Sequence, residues 1–74
     1  MVEGMITNLN QARGCGFILP DHDAAGRDVY FEEGAVEGTP FAELRLGQRV
    51  AFEVAAEARP PQQEQAARVR RLAE

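Results

Sequence analysis

Nothing in this chain can staple it shut. Cys15 is its single cysteine, so no intramolecular disulfide can form, and His22 is its single histidine, so no Cys/His zinc cage can be built. Seventy-four residues bury a modest core, and a chain of that length without a staple is marginal unless it packs efficiently. Residues 1–74 are read as one domain, and an apolar content of 45% places the chain among folded proteins. An unpaired thiol suits a reducing cytosol. The opening MVEGMITNLN lacks the basic and apolar blocks of a secretion signal, and no run approaches the length of a membrane-spanning helix. The expectation is a cytoplasmic protein without a membrane partner.

Turn residues divide the chain into short pieces. Met5–Asn10 reads as a strand entering the turn Gln11–Gly14. Cys15–Leu19 reads as a second strand closed by Pro20, followed by a polar loop over Asp21–Gly26. Asp28–Phe31 is a compact third strand, rich in residues that favour a pleated surface. Glu33–Phe41 holds two glycines and a proline, which leaves room for one helical turn around Ala35. Arg49–Ala55 carries the cleanest period of two, with Val50, Phe52 and Val54 alternating against Arg49, Ala51 and Glu53. Arg59-Pro60-Pro61 reads as a stiff loop.

The tail sets local preference against global need. Gln62–Leu72 is made of helix formers, yet a small barrel needs a closing strand there, because an open sheet edge invites association. Short strands at regular spacing favour the strand. The inward positions are then Ile6, Ile18, Val29, Phe31, Val36, Leu44, Val50, Phe52, Val54 and Val69. Gly14 and Gly16, at a strand start, point to a bulge or a close backbone approach.

Several of these segments together resemble the cold-shock domain family. Arg13-Gly14-Cys15-Gly16-Phe17-Ile18 is similar to the family's first ribonucleoprotein motif, and Asp28-Val29-Tyr30-Phe31 with Ala35-Val36 to its second. Gly4 and Asn10, the run Gly47–Glu53 and the closing Gln65–Val69 match in order and spacing. The resemblance implies an all-β fold, a small five-stranded antiparallel OB-fold barrel. It also implies single-stranded RNA or DNA as partner, held by stacked aromatic rings with basic residues along the phosphates.

Mapped residue by residue, Phe17, Tyr30 and Phe41 match stacking aromatics, and Arg13 keeps the charge of the first motif's lysine. Asn8 stands at the family's tryptophan, Leu9 at its neighbouring phenylalanine and Cys15 at the first motif's leading phenylalanine. Glu32 and Glu33 replace the second motif's histidine and phenylalanine, and Thr7 replaces a lysine. Stacking contributes about 1–3 kcal/mol per base. Four lost platforms therefore imply binding weakened by roughly a thousandfold.

Charge points the same way. All eight basic residues are arginines, against twelve carboxylates, for a net charge of −4, and a polyanion is drawn chiefly by positive charge. Arg68-Arg70-Arg71 is the one concentrated basic stretch, either a solvated strand edge or a phosphate-tracking rim. Bland readings stand beside the others: Phe17 and Tyr30 as half-exposed barrel residues, and Phe41 as a loop anchor. Asp21-His22-Asp23 is a solvated turn, since three adjacent residues cannot converge on a metal.

The function expected is weak, sequence-tolerant single-strand binding through Arg13, Phe17, Tyr30 and Phe41, with Asn8 and Leu9 beside them. The alternative is a retained barrel whose Leu9, Cys15 and Phe17 form an apolar patch for a protein partner or a second copy. No nucleophile–base pair is visible, so neither catalysis nor a cofactor is expected.

Overall fold

The computed structural model describes residues 2–22, 26–54 and 65–72. Six strands follow in order: β1 Val2–Asn10, β2 Cys15–Pro20, β3 Val29–Glu32, β4 Val36–Glu37, β5 Arg49–Val54 and β6 Ala66–Arg71. Single 3-10 turns lie at Glu33–Ala35 and Phe41–Glu43. The strand order is β3-β2-β1-β5-β6-β4. A parallel bridge between Tyr30 and Gln65 brings the start of β6 beside β3, so the sheet curls into a nearly closed barrel. The architecture is all-β, with six strands where five were expected. The extra one is β4, two residues between Gly34 and Gly38 that pair in parallel with β6 through Val36–Val69 and Glu37–Arg70. A segment that short carries no periodic signal of its own.

The tail is a strand from Ala66 to Arg71, as the barrel requires. Its helix-like spacing has a local cause. The ladder to β5 runs Ala51–Arg70 and then Glu53–Ala67, leaving Arg68 and Val69 opposite the single residue Phe52. Arg68 takes up the extra length with a left-handed backbone, φ 54°. Ala66 and Val69, three apart, therefore both reach the core. In β5, Val50 and Phe52 are buried, but Val54, the strand's last residue, is 37% exposed and not a core residue.

The core consists of Ile6, Ile18, Val29, Phe31, Phe41, Leu44, Val50, Phe52, Ala66 and Val69, with Leu9, Ala35 and Val36 packed against it. Residues Asp23–Ala25, Ala55 and the Arg59-Pro60-Pro61 loop lie outside the described residues.

A second bulge shapes the opposite side of the barrel. β1 and β2 pair Ile6 with Ile18 and then Asn8 with Phe17, so Thr7 is an extra residue on β1. Without it Asn8 would follow Ile6 inward. With it Asn8 turns to the outer face and Leu9, opposite Gly16, turns to the core. The strands can meet there because Gly16 has no side chain. A Cβ on it would press into the Asn8 carbonyl oxygen and come within 3.0 Å of the Phe31 ring.

At the far end of β2, the turn at Asp21 is clamped. Both Asp21 carboxylate oxygens accept from the Arg49 guanidinium, one at 2.7 Å from Nη1 and the other from Nη2, and Glu3 lies 3.5 Å from Nη2. The Arg49 hydrogen bonds hold the Asp21 carboxyl below its ordinary value of 3.8, against an opposing contribution from desolvation.

Two outcomes follow. Gly16→Ala should lower stability by about 1–3 kcal/mol in urea unfolding, the range for overpacking, because the clash is with backbone and a buried ring. For Asp21, the depressed pKa means its contribution is complete above the unfolded value and disappears as pH falls through the folded one. Asp21→Asn should therefore unfold at lower urea than the native chain at neutral pH, with the gap closing in acid below 3.8.

Candidate nucleic-acid interface

Three strands present one outer face, and their registers arrange it in rows. In β2, Gly16 and Ile18 point inward, so Cys15 and Phe17 point out; in β3, Val29 and Phe31 are buried, so Tyr30 and Glu32 point out. Phe17 pairs with Asn8 on one side and Tyr30 on the other, giving the row Asn8–Phe17–Tyr30. One step along, Cys15 pairs with Asn10 and Glu32, giving the row Asn10–Cys15–Glu32. The Phe17 and Tyr30 rings are half-buried, 5.6 Å apart between centroids and inclined at 67°, an edge-to-face pair.

The turn joining β1 to β2 holds Arg13 at the end of these rows. Asn10 closes it: its side-chain oxygen accepts from the Arg13 amide at 3.2 Å and its carbonyl from the Gly14 amide at 2.9 Å. Gly14 takes a left-handed φ of 69° to complete the turn. Its carbonyl accepts from the Glu33 amide at 2.7 Å. The Glu33 side chain folds over Gly14, where a Cβ would lie 2.9 Å from Oε1. Glu33 thus begins a 3-10 turn and does not alternate with Glu32 along a strand.

Two expected site residues are elsewhere. Phe41 is 5% exposed, its ring tilted against Phe31 with centroids 5.9 Å apart. The 3-10 turn Phe41–Glu43 drives it into the barrel, so it is a loop anchor and offers no face to a base. Leu9 packs against the core because of the Thr7 bulge, so it supplies neither a platform nor the centre of an apolar patch with Cys15 and Phe17. Asn8, Arg13, Phe17 and Tyr30 do come together.

The electrostatics are mixed. The Tyr30 phenol is pushed above 10.0, first by its hydrogen bond with the Cys15 thiol, then by desolvation and by the negative charge of Cys15 and Glu32; Arg13 pulls the other way. Arg13, Cys15 and Glu32 thus all lie within electrostatic reach of one ring. Glu32 and Glu33 hold no ion pair among the described residues. The basic stretch in β6 is engaged: Arg70 Nε donates to Glu37 at 3.2 Å, and Arg68 lies 3.8 Å from Glu37 and 3.7 Å from Glu53. Two of its three guanidinium groups therefore already face carboxylates. Among the described residues no group of three or more His, Cys, Asp or Glu could hold a metal, and no helix is long and apolar enough to cross a membrane.

A small, partly open barrel in which β1 pairs with both β2 and β5, and whose second and third strands share one outer face, is an OB-fold. The chain belongs to the family described as the 'Cold-shock' DNA-binding domain, whose model matches residues 2–72. It is 37% identical over 51 residues to the major cold shock protein CspA of Pseudomonas aeruginosa, covering 69% of this chain and 70% of that one. It is 33% identical over 60 residues to the cold shock-like protein CspE of Escherichia coli strain K12, covering 81% and 84%. The solved structure of drosophila Unr CSD456 shares the fold, with a TM-score of 0.72 at 24% identity over 97% of this chain; the chain spans 26% of that longer structure.

Tyr30 is the chain's only tyrosine and there is no tryptophan, so its ionisation can be followed by ultraviolet absorbance. Its midpoint should lie above 10.0, and Cys15→Ala should bring it down. An unchanged midpoint would show that thiol and ring do not touch in solution.

Proposed function

We propose that this domain binds single-stranded RNA or DNA weakly and with little sequence restriction, by stacking bases on Phe17 and Tyr30. Asn8 lies at the end of the ring row to meet base edges, and Arg13 meets phosphate from the adjoining turn. The single observation that carries the reading is the register placing Phe17 opposite Tyr30 on the outer face. Family membership supports nucleic acid as the class of ligand. Nothing in the reading calls for catalysis.

Weakness follows from the inventory of the face. Two rings supply stacking worth about 1–3 kcal/mol each, and translational and rotational losses on association consume much of that. Arg13 brings a guanidinium beside the rings, against the carboxylates of Glu32 and Glu33. Phosphate neutralisation, the usual source of non-specific affinity, is correspondingly small.

Amide-shift titration with short oligo-T and oligo-U at low salt tests this. Shifts should cluster on β2 and β3, and Phe17→Ala should weaken binding by about fivefold or more, the low end of one stacking contact. Absence of any shift at millimolar oligonucleotide would overturn the reading.

A further inference from the structure

We propose that Glu32 makes this face select guanine, its carboxylate accepting from the base's N1–H and N2–H2 while the base stacks on the Phe17–Tyr30 row. The proposal rests on the single-strand reading above and names the base that reading leaves open.

The position of the carboxylate carries the argument. Glu32 is the outward residue of β3 next after Tyr30, and it lies across from Cys15 in the row beside the rings. Residues two apart on a strand share a face and lie within reach of one bound base. Glu32 is exposed. No ion pair among the described residues takes up Glu32; Arg49 is held by Asp21 and Glu3, and Arg68 and Arg70 by Glu37 and Glu53. Both Glu32 oxygens are thus open to a ligand.

An ionised carboxylate only accepts hydrogen bonds. Single-stranded recognition exposes the Watson–Crick edges of splayed bases. Thymine and uracil present one N–H between two carbonyls, which would face the carboxylate acceptor to acceptor. Cytosine and adenine present an amino group beside an unprotonated ring nitrogen. Guanine alone presents two adjacent donors, spaced for the two oxygens of one carboxylate. Its remaining edge, O6 and N7, is the pair that an arginine reads, and Arg13 is the guanidinium adjoining this row. A carboxylate in place of an aromatic ring repels the phosphates of every sequence. Only a base that donates to it recovers part of that loss.

The test compares three DNA pentamers, T-T-T-T-T, T-T-G-T-T and T-T-I-T-T, by amide-shift titration at low salt, where inosine is guanine without its 2-amino group. The native chain should bind the guanine pentamer about fivefold more tightly than the all-thymine one, the low end for a bidentate base contact because the group is exposed. Inosine should fall between them. Glu32→Gln should tighten binding of all-thymine, since a phosphate-repelling charge is gone, and bring the guanine-to-thymine ratio close to one. Unchanged core amide shifts would show that this variant is folded. Equal affinity of the native chain for guanine and thymine pentamers, or a guanine preference that survives Glu32→Gln, would overturn the proposal while leaving the stacking reading intact. Failure of all three pentamers to shift any amide would overturn both.

Discussion

The close contact of β1 and β2 at Gly16 governs what the outer face displays. Bulged at Thr7, β1 brings the Asn8 carbonyl against a position with no side chain, beneath which the Phe31 ring fills the core. Side chains in a strand alternate with a period of two, so one inserted residue reverses every position after it. Asn8 comes out beside Phe17, and Leu9 goes in. The face is therefore two amides, two rings, a thiol and a carboxylate laid out in two rows, and the outward turn of the amides depends on the close approach that one glycine permits.

Charge in this barrel is arranged as local pairs. Arg49 spans from β5 to the turn after β2 and the start of β1, closing that end of the sheet. Arg68 and Arg70 tie β6 to Glu37 of β4 and Glu53 of β5. These groups are exposed, and each such pair contributes little to stability. Their larger consequence is for binding, because an arginine already facing a carboxylate neutralises less phosphate. Among the described residues, Arg13 and the carboxylate of Glu32 are charges that act on the Tyr30 ring. On the proposed reading, such a surface would draw its affinity from stacking and its discrimination from base edges, with little from the phosphate backbone.

Much of the barrel was legible before any coordinate. The alternation of Val50 and Phe52 and the paired glycines near Cys15 appear where the residue pattern places them, and the closing strand at Ala66–Arg71 appears where barrel closure requires it, against its helix-forming residues. Phe17 and Tyr30, matched to stacking aromatics of the two motifs, lie opposite each other. Three features escaped for related reasons. Phe41 matched a stacking aromatic by resemblance, with a loop anchor as the other reading, and a single 3-10 turn decides for burial. Leu9 looked outward because the Thr7 bulge leaves no mark in the hydrophobic period. The Asp21–Arg49 clamp joins residues 28 positions apart, and charge pairing at that distance follows from strand register alone.

Apart from the helix-forming tail and the two-residue β4, the residues by themselves determined which segments extend and turn, because those preferences belong to a few adjacent side chains: glycine at tight backbone positions, branched and aromatic residues on pleated strands. They also determined that the domain would be acidic and unstapled. Tertiary structure alone decided which side of each strand faces out beyond a bulge, which arginines face carboxylates, and that Glu33 leaves the strand that Glu32 ends. Those outcomes depend on contacts between strands distant in the chain, where one residue of slippage exchanges core for surface.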